Sequence, residues 1–347
     1  MPRGEATWRE IRQQPETWLD TLKRARDAGF GELGPAVLTG AGTSAYAAMA
    51  IEAAWPGSRA VPSTELFLDF REPLAGRNLV VSLARSGNSP ESVAVVEKIR
   101  RARPEVRHIA VTANAEGRLA NTAGVEALVL SERVNDKSLA MTSSFTNLVV
   151  AGLALARPQE TAQAVPVLAC AGEKLLCEHE TTARRLAQRP PARLAALASA
   201  PLLGAAREAC LKVLEMTAGK IATLAETYLG LRHGPMSFLE PDTLVLCFVS
   251  SEPRRRRYEL DLIEELRAKR LGRLVALAPP DVDGALFEFV ITTEASSLAD
   301  YLRTPAEIIL AQMLACHASL AFGLDPDNPS PAGVIHRVVE GVRIYED

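Results

Sequence analysis

Residues 79–92 read LVVSLARSGNSPES, an apolar run that leads through a glycine- and serine-rich turn to a proline. A short, uninterrupted apolar run is typical of a parallel strand that is buried on both faces. Pro90 suits the first position of a helix, which the pattern extends to about Arg103. The segment therefore predicts a strand, a turn and a helix, the repeating unit of parallel α/β sheets.

The same alternation extends outward from this segment in both directions. Further apolar runs at 36–38, 108–112 and 125–130 predict strands of one doubly wound sheet, which ends near residue 155. After a helical stretch the alternation restarts, with strands predicted at 243–249, 274–277 and 287–291 and helices at 204–218, 254–270 and 305–322. The predicted fold class is α/β, with two doubly wound, flavodoxin-like parallel-sheet domains in tandem.

The chain length agrees with this arrangement, because 347 residues are too many for one ordinary core. We divide the sequence into an amino-terminal helical segment (1–30), a first domain (31–160), a helical linker (161–196), a second domain (197–324) and a carboxyl-terminal tail (325–347). The linker is rich in Ala, Leu, Arg and Glu, and Pro190-Pro191 stands near its end.

Composition excludes several functional classes. The net charge of −3 gives no support for binding to nucleic acid or to an anionic membrane. Five scattered cysteines without a Cys-x-x-Cys pair indicate a reducing compartment and no zinc site. No apolar core of a signal peptide and no membrane-length apolar window is present. We expect a cytoplasmic protein without a cofactor or metal.

Three turns carry hydroxyl groups between a predicted strand and a helix. They are GAGTS at 40–44, RSGNS at 85–89 and MTSSFT at 141–146. Glycine allows close approach of the backbone, and the first amides of a helix attract an anion. The turns match neither a nucleotide-binding P-loop nor a dinucleotide fingerprint. A phosphomonoester therefore fits better than a nucleotide, although each turn taken alone also fits a simple helix cap.

These turns, in this order, resemble the SIS (sugar isomerase) family, above all the isomerase half of glucosamine-6-phosphate synthase and the AgaS-type galactosamine-6-phosphate deaminase/isomerases. The similarity covers nearly the whole chain. It is carried by GAGTS at 40–44, LARSGNSPES at 83–92, NDKSLAMTSSFTNL at 135–148, REACLKVLEMTAGK at 207–220 and LRHGPMSFL at 231–239, with support from TWREIRQQPETW at 7–18 and the tail at 325–342.

The resemblance implies that the first domain binds a phosphosugar. The side chains implied for the phosphate are those of Thr43, Ser44, Ser86 and Ser89. The residues implied to lie beside the sugar are Gly42, Arg85 and Thr142. The synthase has Ser-Gln-Ser where this chain has Ala84-Arg85-Ser86, and whether Arg85 replaces the lost hydroxyl as a phosphate partner stays open.

The resemblance places the catalytic residues in the second domain. Glu215 corresponds to the glutamate that moves a proton between C1 and C2, Lys212 to a lysine beside it, and His233 to the histidine that opens the sugar ring. That histidine enters the site from the partner subunit, so the family implies a homodimer with shared active sites. On spacing alone, Glu208, Lys212 and Glu215 also fit a surface ion-pair stripe.

The predicted reaction is hydrolytic deamination of galactosamine 6-phosphate, or a close hexosamine 6-phosphate, to a ketose 6-phosphate and ammonia. The tail, expected over the active site, has no lysine between 328 and 342. Schiff-base chemistry from the tail is therefore not expected, and proton transfer by Glu215 and His233 is. The chain shows no glutaminase segment, which favours release of ammonia. The alternatives are a nitrogen-free aldose–ketose phosphosugar isomerase and a sugar-phosphate sensor without activity.

Overall fold

The computed structural model describes residues 3–330, 332–339 and 341–345. The remaining positions of the predicted termini and tail lie outside the described residues. The strands are β1 Val37–Gly40, β2 Arg59–Pro62, β3 Leu79–Ala84, β4 Arg107–Thr112, β5 Val125–Val129, β6 Arg193–Ala198, β7 Ala222–Glu226, β8 Leu244–Phe248, β9 Arg273–Leu277 and β10 Phe289–Ile291.

The helices alternate with these strands along most of the chain. They are α1 Glu5–Arg12, α2 Gln14–Asp27, α3 Thr43–Glu52, α4 Ser63–Leu68, α5 Pro90–Ala102, α6 Ser143–Ala156, α7 Pro158–Glu178, α8 Glu180–Ala187, α9 Leu203–Met216, α10 Tyr228–Leu231, α11 Pro253–Ala268 and α12 Asp300–Ala321.

The strands form two five-stranded parallel sheets with the same topology. The first has the order β2-β1-β3-β4-β5, and the second has the order β10-β9-β8-β6-β7. If the strands of each sheet are counted in chain order, both sheets read 2-1-3-4-5, the flavodoxin-like arrangement. All residues of the central strands β1, β3 and β8 are buried. The predicted fold class is confirmed.

The chain folds into two compact units. The first unit contains Glu16–Val165 and the described part of Ser330–Asp347, and the second contains the described part of Met1–Pro15 and Pro166–Pro329. The boundaries differ from the predicted domain division. The segment 1–30 is divided between the units, with α1 in the second and α2 in the first.

The region interpreted as a helical linker (161–196) contains helices and the start of a strand. It contributes α7 and α8, and β6 begins at Arg193 inside it. The sequence analysis also placed no strand at β2 or β7, because these edge strands are half exposed and lack a continuous apolar run.

The first unit is held together by apolar packing and by polar contacts between α2 and α6. Helix α6 is almost wholly buried, and its Asn147 amide donates to the Thr17 hydroxyl at 2.8 Å. The indole Nε1 of Trp18 donates to the Thr146 hydroxyl at 3.1 Å. These two hydrogen bonds pair buried polar groups of α2 and α6 and fix α2 on the helical layer.

The second unit is built around the long, buried helix α12. It packs against α8, α9 and α1, and most of its residues are inaccessible to solvent. The carboxylate of Asp327, just beyond α12, accepts hydrogen bonds from the Thr7 amide and hydroxyl, both at 2.7 Å. This contact secures the first turns of α1. Helix α9, which carries the predicted catalytic glutamate, packs against the buried helix α12.

Candidate active site

The first predicted phosphate turn connects β1 to α3. A β-carbon at Gly40 would lie 2.6 Å from the Ser44 Cβ and 2.8 Å from the Ser44 carbonyl oxygen, so only glycine permits this close approach of strand and helix. Gly42, the residue before the helix, has a φ of 55°. The Ser44 side chain donates to no residue that the structure describes. The turn therefore offers a helix start and an unused hydroxyl.

In the second turn, between β3 and α5, several acceptors are already bonded. The Ser86 carbonyl accepts from the Asn114 amide at 2.9 Å, and the Gly87 carbonyl accepts from the Leu119 N–H at 2.9 Å. The Asn88 side-chain oxygen accepts from the Arg118 N–H at 3.0 Å. Within the described residues, the N–H groups of Ser86, Gly87 and Ser89 have no acceptor. Donors remain, and the turn suits an anion.

The two turns lie beside each other at one edge of the first sheet. β1 pairs with β3 in parallel, with Thr39 opposite Ser82, so the turns follow adjacent strands. The strand order also changes side at β1: β2 lies on one side of β1, and β3, β4 and β5 lie on the other. Open α/β sheets bind ligands at the carboxyl ends of the strands at this point. Thr43, Ser44, Ser86 and Ser89 are thus brought to one edge.

The third hydroxyl cluster is occupied by an internal carboxylate. Buried Asp136 accepts from the Thr142 and Ser144 N–H groups, both at 2.8 Å, and from the Ser143 and Ser144 hydroxyls, both at 2.5 Å. A carboxylate at a helix start satisfies its unpaired amides and its dipole. The sequence analysis did not single out Asp136, because it stands seven residues before Ser143, where the helix it caps begins.

Arg85 contacts backbone carbonyls within the first unit. Its side chain is buried, and its guanidinium donates to the carbonyls of Ser138 at 2.9 Å, Leu139 at 3.0 Å and Arg337 at 2.8 Å. Arginine has five N–H donors, so these bonds occupy a large part of its capacity. Arg85 therefore joins the phosphate turn to the loop before α6 and to the tail.

Glu215 lies near the end of α9, in contact with a buried lysine. The Lys212 Nζ lies 2.5 Å from a Glu215 carboxylate oxygen and 3.4 Å from a Glu208 carboxylate oxygen. Lys212 and Glu208 are fully buried, whereas the Glu215 side chain is 23% exposed. A surface ion-pair stripe would not bury two of its three members, so the interpretation as a solvated stripe is wrong. The partly exposed carboxylate of Glu215 is therefore the one of the three charged groups that solvent or a ligand reaches.

His233 lies on the surface of the second unit. It follows α10, its N–H donates to the Gly230 carbonyl at 2.9 Å, and Gly234 after it has a φ of 118°. Its ring is exposed and has no hydrogen-bond partner among the residues that the structure describes. Among the same residues, no hydrogen bond or ion pair joins His233 to Glu215. The ring is available for an external group.

Comparisons with known proteins identify the family. No family model matches the sequence. The D-galactosamine-6-phosphate deaminase AgaS of Escherichia coli is 37% identical, over 99% of this chain and 96% of its own length. This chain belongs to the AgaS family. The predicted resemblance is thereby confirmed.

Two solved structures are similar in fold to this AgaS-family member. The crystal structure of tagatose-6-phosphate ketose/aldose isomerase from Escherichia coli has a TM-score of 0.85 and 35% identity, and covers 96% of each chain. The C-terminal domain of glucosamine-fructose-6-phosphate aminotransferase from Francisella tularensis has a TM-score of 0.77 at 18% identity, covering 94% of this chain and 99% of that one. The second likeness concerns the fold alone.

The second unit of this AgaS-family member has a polar cluster at the equivalent edge of its own sheet. Here the hydroxyls after β6 and β8 are bonded internally: Ser199 donates to Glu259, and Ser250 donates to Asp300 at 2.5 Å. Burial raises the pKa of Glu259 to about 7. In the second unit, internal carboxylates therefore accept from the hydroxyls at this edge, whereas the equivalent edge of the first unit has unbonded donors.

Other chemical features of the described residues are few. No group of three or more histidine, cysteine, aspartate or glutamate side chains there could hold a metal ion. In the same residues, no helix is long and apolar enough to cross a membrane. His108 is buried in β4, and burial lowers the pKa of its ring to about 4.

Proposed function

We propose that this chain is a D-galactosamine-6-phosphate deaminase, which converts galactosamine 6-phosphate and water to a ketose 6-phosphate and ammonia. The observation that carries the proposal is the half-exposed Glu215 carboxylate held 2.5 Å from buried Lys212. It is supported by 37% identity over almost the full length to an AgaS enzyme of that name. Amino-sugar breakdown makes the protein an enzyme of carbohydrate metabolism.

The first unit holds the phosphate in this proposal. Ser44, Ser86 and Ser89 supply hydroxyls, and the turn amides supply N–H donors, at adjacent strand ends. Thr43 belongs to the same turn as Ser44. Gly42 and Thr142 are proposed to lie beside the sugar. Hydrogen bonds to a doubly charged phosphate are stronger than those between neutral groups, which favours the phosphorylated sugar.

The catalytic steps are assigned to the second unit. His233 moves a proton during ring opening, which gives the free aldehyde at C1. Glu215 takes the C2 proton to form an enolamine and returns a proton to C1, leaving an imine at C2. Water adds to the imine carbon, and ammonia leaves as the ketone forms. Lys212 fixes the Glu215 carboxylate, and Glu208 balances the charge of Lys212.

We further propose a cytoplasmic homodimer with shared active sites. The exposed ring of His233, which has no hydrogen-bond partner among the described residues of its own chain, supports a role across a subunit interface. All five cysteines are free thiols, as expected in a reducing compartment. Sugar phosphates are produced inside cells, where this substrate would be met.

A nitrogen-free reaction is the second candidate. It is favoured by one observation, the 35% identity to the Escherichia coli tagatose-6-phosphate ketose/aldose isomerase. The same proton transfer between C1 and C2 serves both reactions. They differ in whether the C2 substituent is an amine or a hydroxyl.

The test is a coupled assay of the purified full-length chain with galactosamine 6-phosphate, glucosamine 6-phosphate, N-acetylgalactosamine 6-phosphate and tagatose 6-phosphate. We expect ammonia and ketose 6-phosphate in equal amounts from galactosamine 6-phosphate. Unphosphorylated galactosamine is the control and should react far more slowly. Conversion of tagatose 6-phosphate without any ammonia from the amino sugars would establish the second candidate instead.

A further inference from the structure

The tail of the first unit is tied to the loop before α6 by Arg337. Its guanidinium donates from Nε to the Asp136 carbonyl at 2.9 Å, and from Nη2 to the same carbonyl at 2.6 Å. Nη2 also donates to the Asn135 side-chain oxygen at 2.7 Å. Arg337 is itself exposed. An exposed arginine with three bonds at one point is anchored there and does not sample many rotamers.

The same tail residue is tied to the second phosphate turn by its backbone. The Arg337 carbonyl accepts from Arg85 Nη2 at 2.8 Å, and Arg85 stands directly before Ser86. The Arg337 side chain thus donates to the loop at Asn135 and Asp136, while its backbone carbonyl accepts from the Arg85 side chain. The contact spans 252 positions of sequence.

Asp136 connects this contact to the rest of the unit. Its carbonyl accepts from Arg337, while its carboxylate caps α6 through Ser143 and Ser144. Asp136 is fully buried, so the anchor point is rigid. The Arg85 guanidinium bonds to the same loop at Ser138 and Leu139. Loop, tail and turn thus form one hydrogen-bonded assembly.

We propose that Arg337 is a positioning residue for phosphate binding, which acts through Arg85 on the turn that carries Ser86 and Ser89. Anchored on Asp136, it holds its carbonyl where the Arg85 side chain is bonded, and this fixes the turn. Without the anchor, the carbonyl of residue 337 is no longer held beside the Arg85 guanidinium, and the turn amides spread over more conformations. A preorganised anion site binds more tightly than one that must be ordered on binding. The inference rests on the proposed function for its effect on affinity.

The test uses the full chain with Arg337→Ala, Arg337→Lys and, as a matched control, Arg343→Ala. Arg343 is an exposed arginine of the same tail without a described contact. Binding of galactitol 6-phosphate, which cannot react, is measured by calorimetry, together with KM and kcat for galactosamine 6-phosphate. For Arg337→Ala we expect about a tenfold loss of affinity and a similar rise in KM, with kcat little changed.

The conservative Arg337→Lys variant should recover part of this loss, because one ammonium donor can still bond the Asp136 carbonyl. The control should behave as wild type. A fall in thermal stability of Arg337→Ala, with unchanged affinity and KM, would reduce Arg337 to a structural residue and overturn the proposal.

A second readout separates this inference from the proposed function. Hydrogen exchange of the Arg118 and Leu119 amides, which donate to Asn88 and Gly87 of the turn, is measured in the free protein, where no substrate takes part. Arg337→Ala should exchange faster there than wild type and Arg343→Ala, even if the chain binds no sugar phosphate at all. Equal exchange in all three proteins would contradict the coupling. A wild type that binds no sugar phosphate, with faster exchange in Arg337→Ala, would reject the proposed function alone.

Discussion

At the scale of single residues, the turn between β3 and α5 is defined by which of its groups are already bonded. The carbonyl groups of Arg85, Ser86 and Gly87 accept bonds from the segment 112–119, whereas the Ser89 hydroxyl has no partner among the described residues. An anion that enters the turn meets unbonded donors, and three of the turn's carbonyl oxygens are already bonded elsewhere. This difference between donors and acceptors, more than the number of serines, makes the turn suitable for phosphate.

Ser89→Ala should therefore weaken substrate binding without damaging the fold. One lost hydrogen bond to a charged group costs about 1.5–3 kcal/mol, or roughly a tenfold to hundredfold rise in KM for galactosamine 6-phosphate. Steady-state kinetics measure this. Ser297→Ala, on an exposed serine of the second unit, is the control and should leave KM unchanged. An unchanged KM in Ser89→Ala would remove Ser89 from the phosphate site.

Gly40 gives a second prediction at this scale. A β-carbon there would overlap the backbone of Ser44, so Gly40→Ala should force α3 away from β1. Gly34→Ala is a matched control, since its added carbon meets nothing within 4 Å. We expect Gly40→Ala to lower the free energy of unfolding by about 2 kcal/mol or more in urea denaturation, with the control within about 0.5 kcal/mol of wild type. Equal stability of the two variants would refute the close packing.

At the scale of elements, β4 contains a titratable group that the fold keeps neutral. Both ring nitrogens of His108 lack a hydrogen-bond partner within the described residues, and burial lowers the pKa of the ring from 6.5 to about 4. The unfolded chain therefore binds a proton below pH 6.5 that the folded chain does not bind. The free energy of unfolding therefore has its full value, as far as His108 is concerned, above pH 6.5, and it decreases as the pH falls towards 4.

His108→Leu should remove this loss. Between about pH 7.5 and about pH 4, the free energy of unfolding of the variant relative to wild type should rise by about 3 kcal/mol. Urea denaturation across this pH range measures the difference. Ile109→Val in the same strand, which removes no titratable group, serves as the control and should show no such trend. A constant difference for His108→Leu would show that the ring has the same pKa in the folded and the unfolded chain.

The elements also show what the sequence alone can predict. Central strands such as β3 and β8 are continuous apolar runs because both faces are buried, and these were found. β7 was missed, because an edge strand with half-exposed residues lacks that pattern. β6 was assigned to a linker, because its alanines and leucines suit a helix equally well.

At the scale of the whole molecule, the contacts that sequence analysis could not reach are the distant ones. The partner of Arg85 in the tail is 252 positions away, and only the folded chain shows that this arginine bonds to carbonyls. Spacing correctly placed Glu208, Lys212 and Glu215 on one face of a helix. It gave the wrong environment for them, because spacing does not report which face another helix covers.

A shared active site predicts complementation between two inactive chains. Mixing Glu215→Gln with His233→Ala should form mixed dimers in which one of the two sites has both intact residues. After unfolding and refolding together, about a quarter of wild-type activity should return. Each variant refolded alone is the control. No recovery, with mixed dimers demonstrated by mass spectrometry, would place His233 and Glu215 in a site built by one chain.

The central claim is that phosphate binding and proton transfer are carried out by different residues, and Glu215→Gln tests it most directly. The variant should bind galactosamine 6-phosphate with wild-type affinity in calorimetry, while its rate of ammonia release falls by about 10²- to 10⁴-fold. Glu264→Gln, on an exposed glutamate of α11, should match wild type in both measurements. Ammonia release by Glu215→Gln at the wild-type rate would contradict the account.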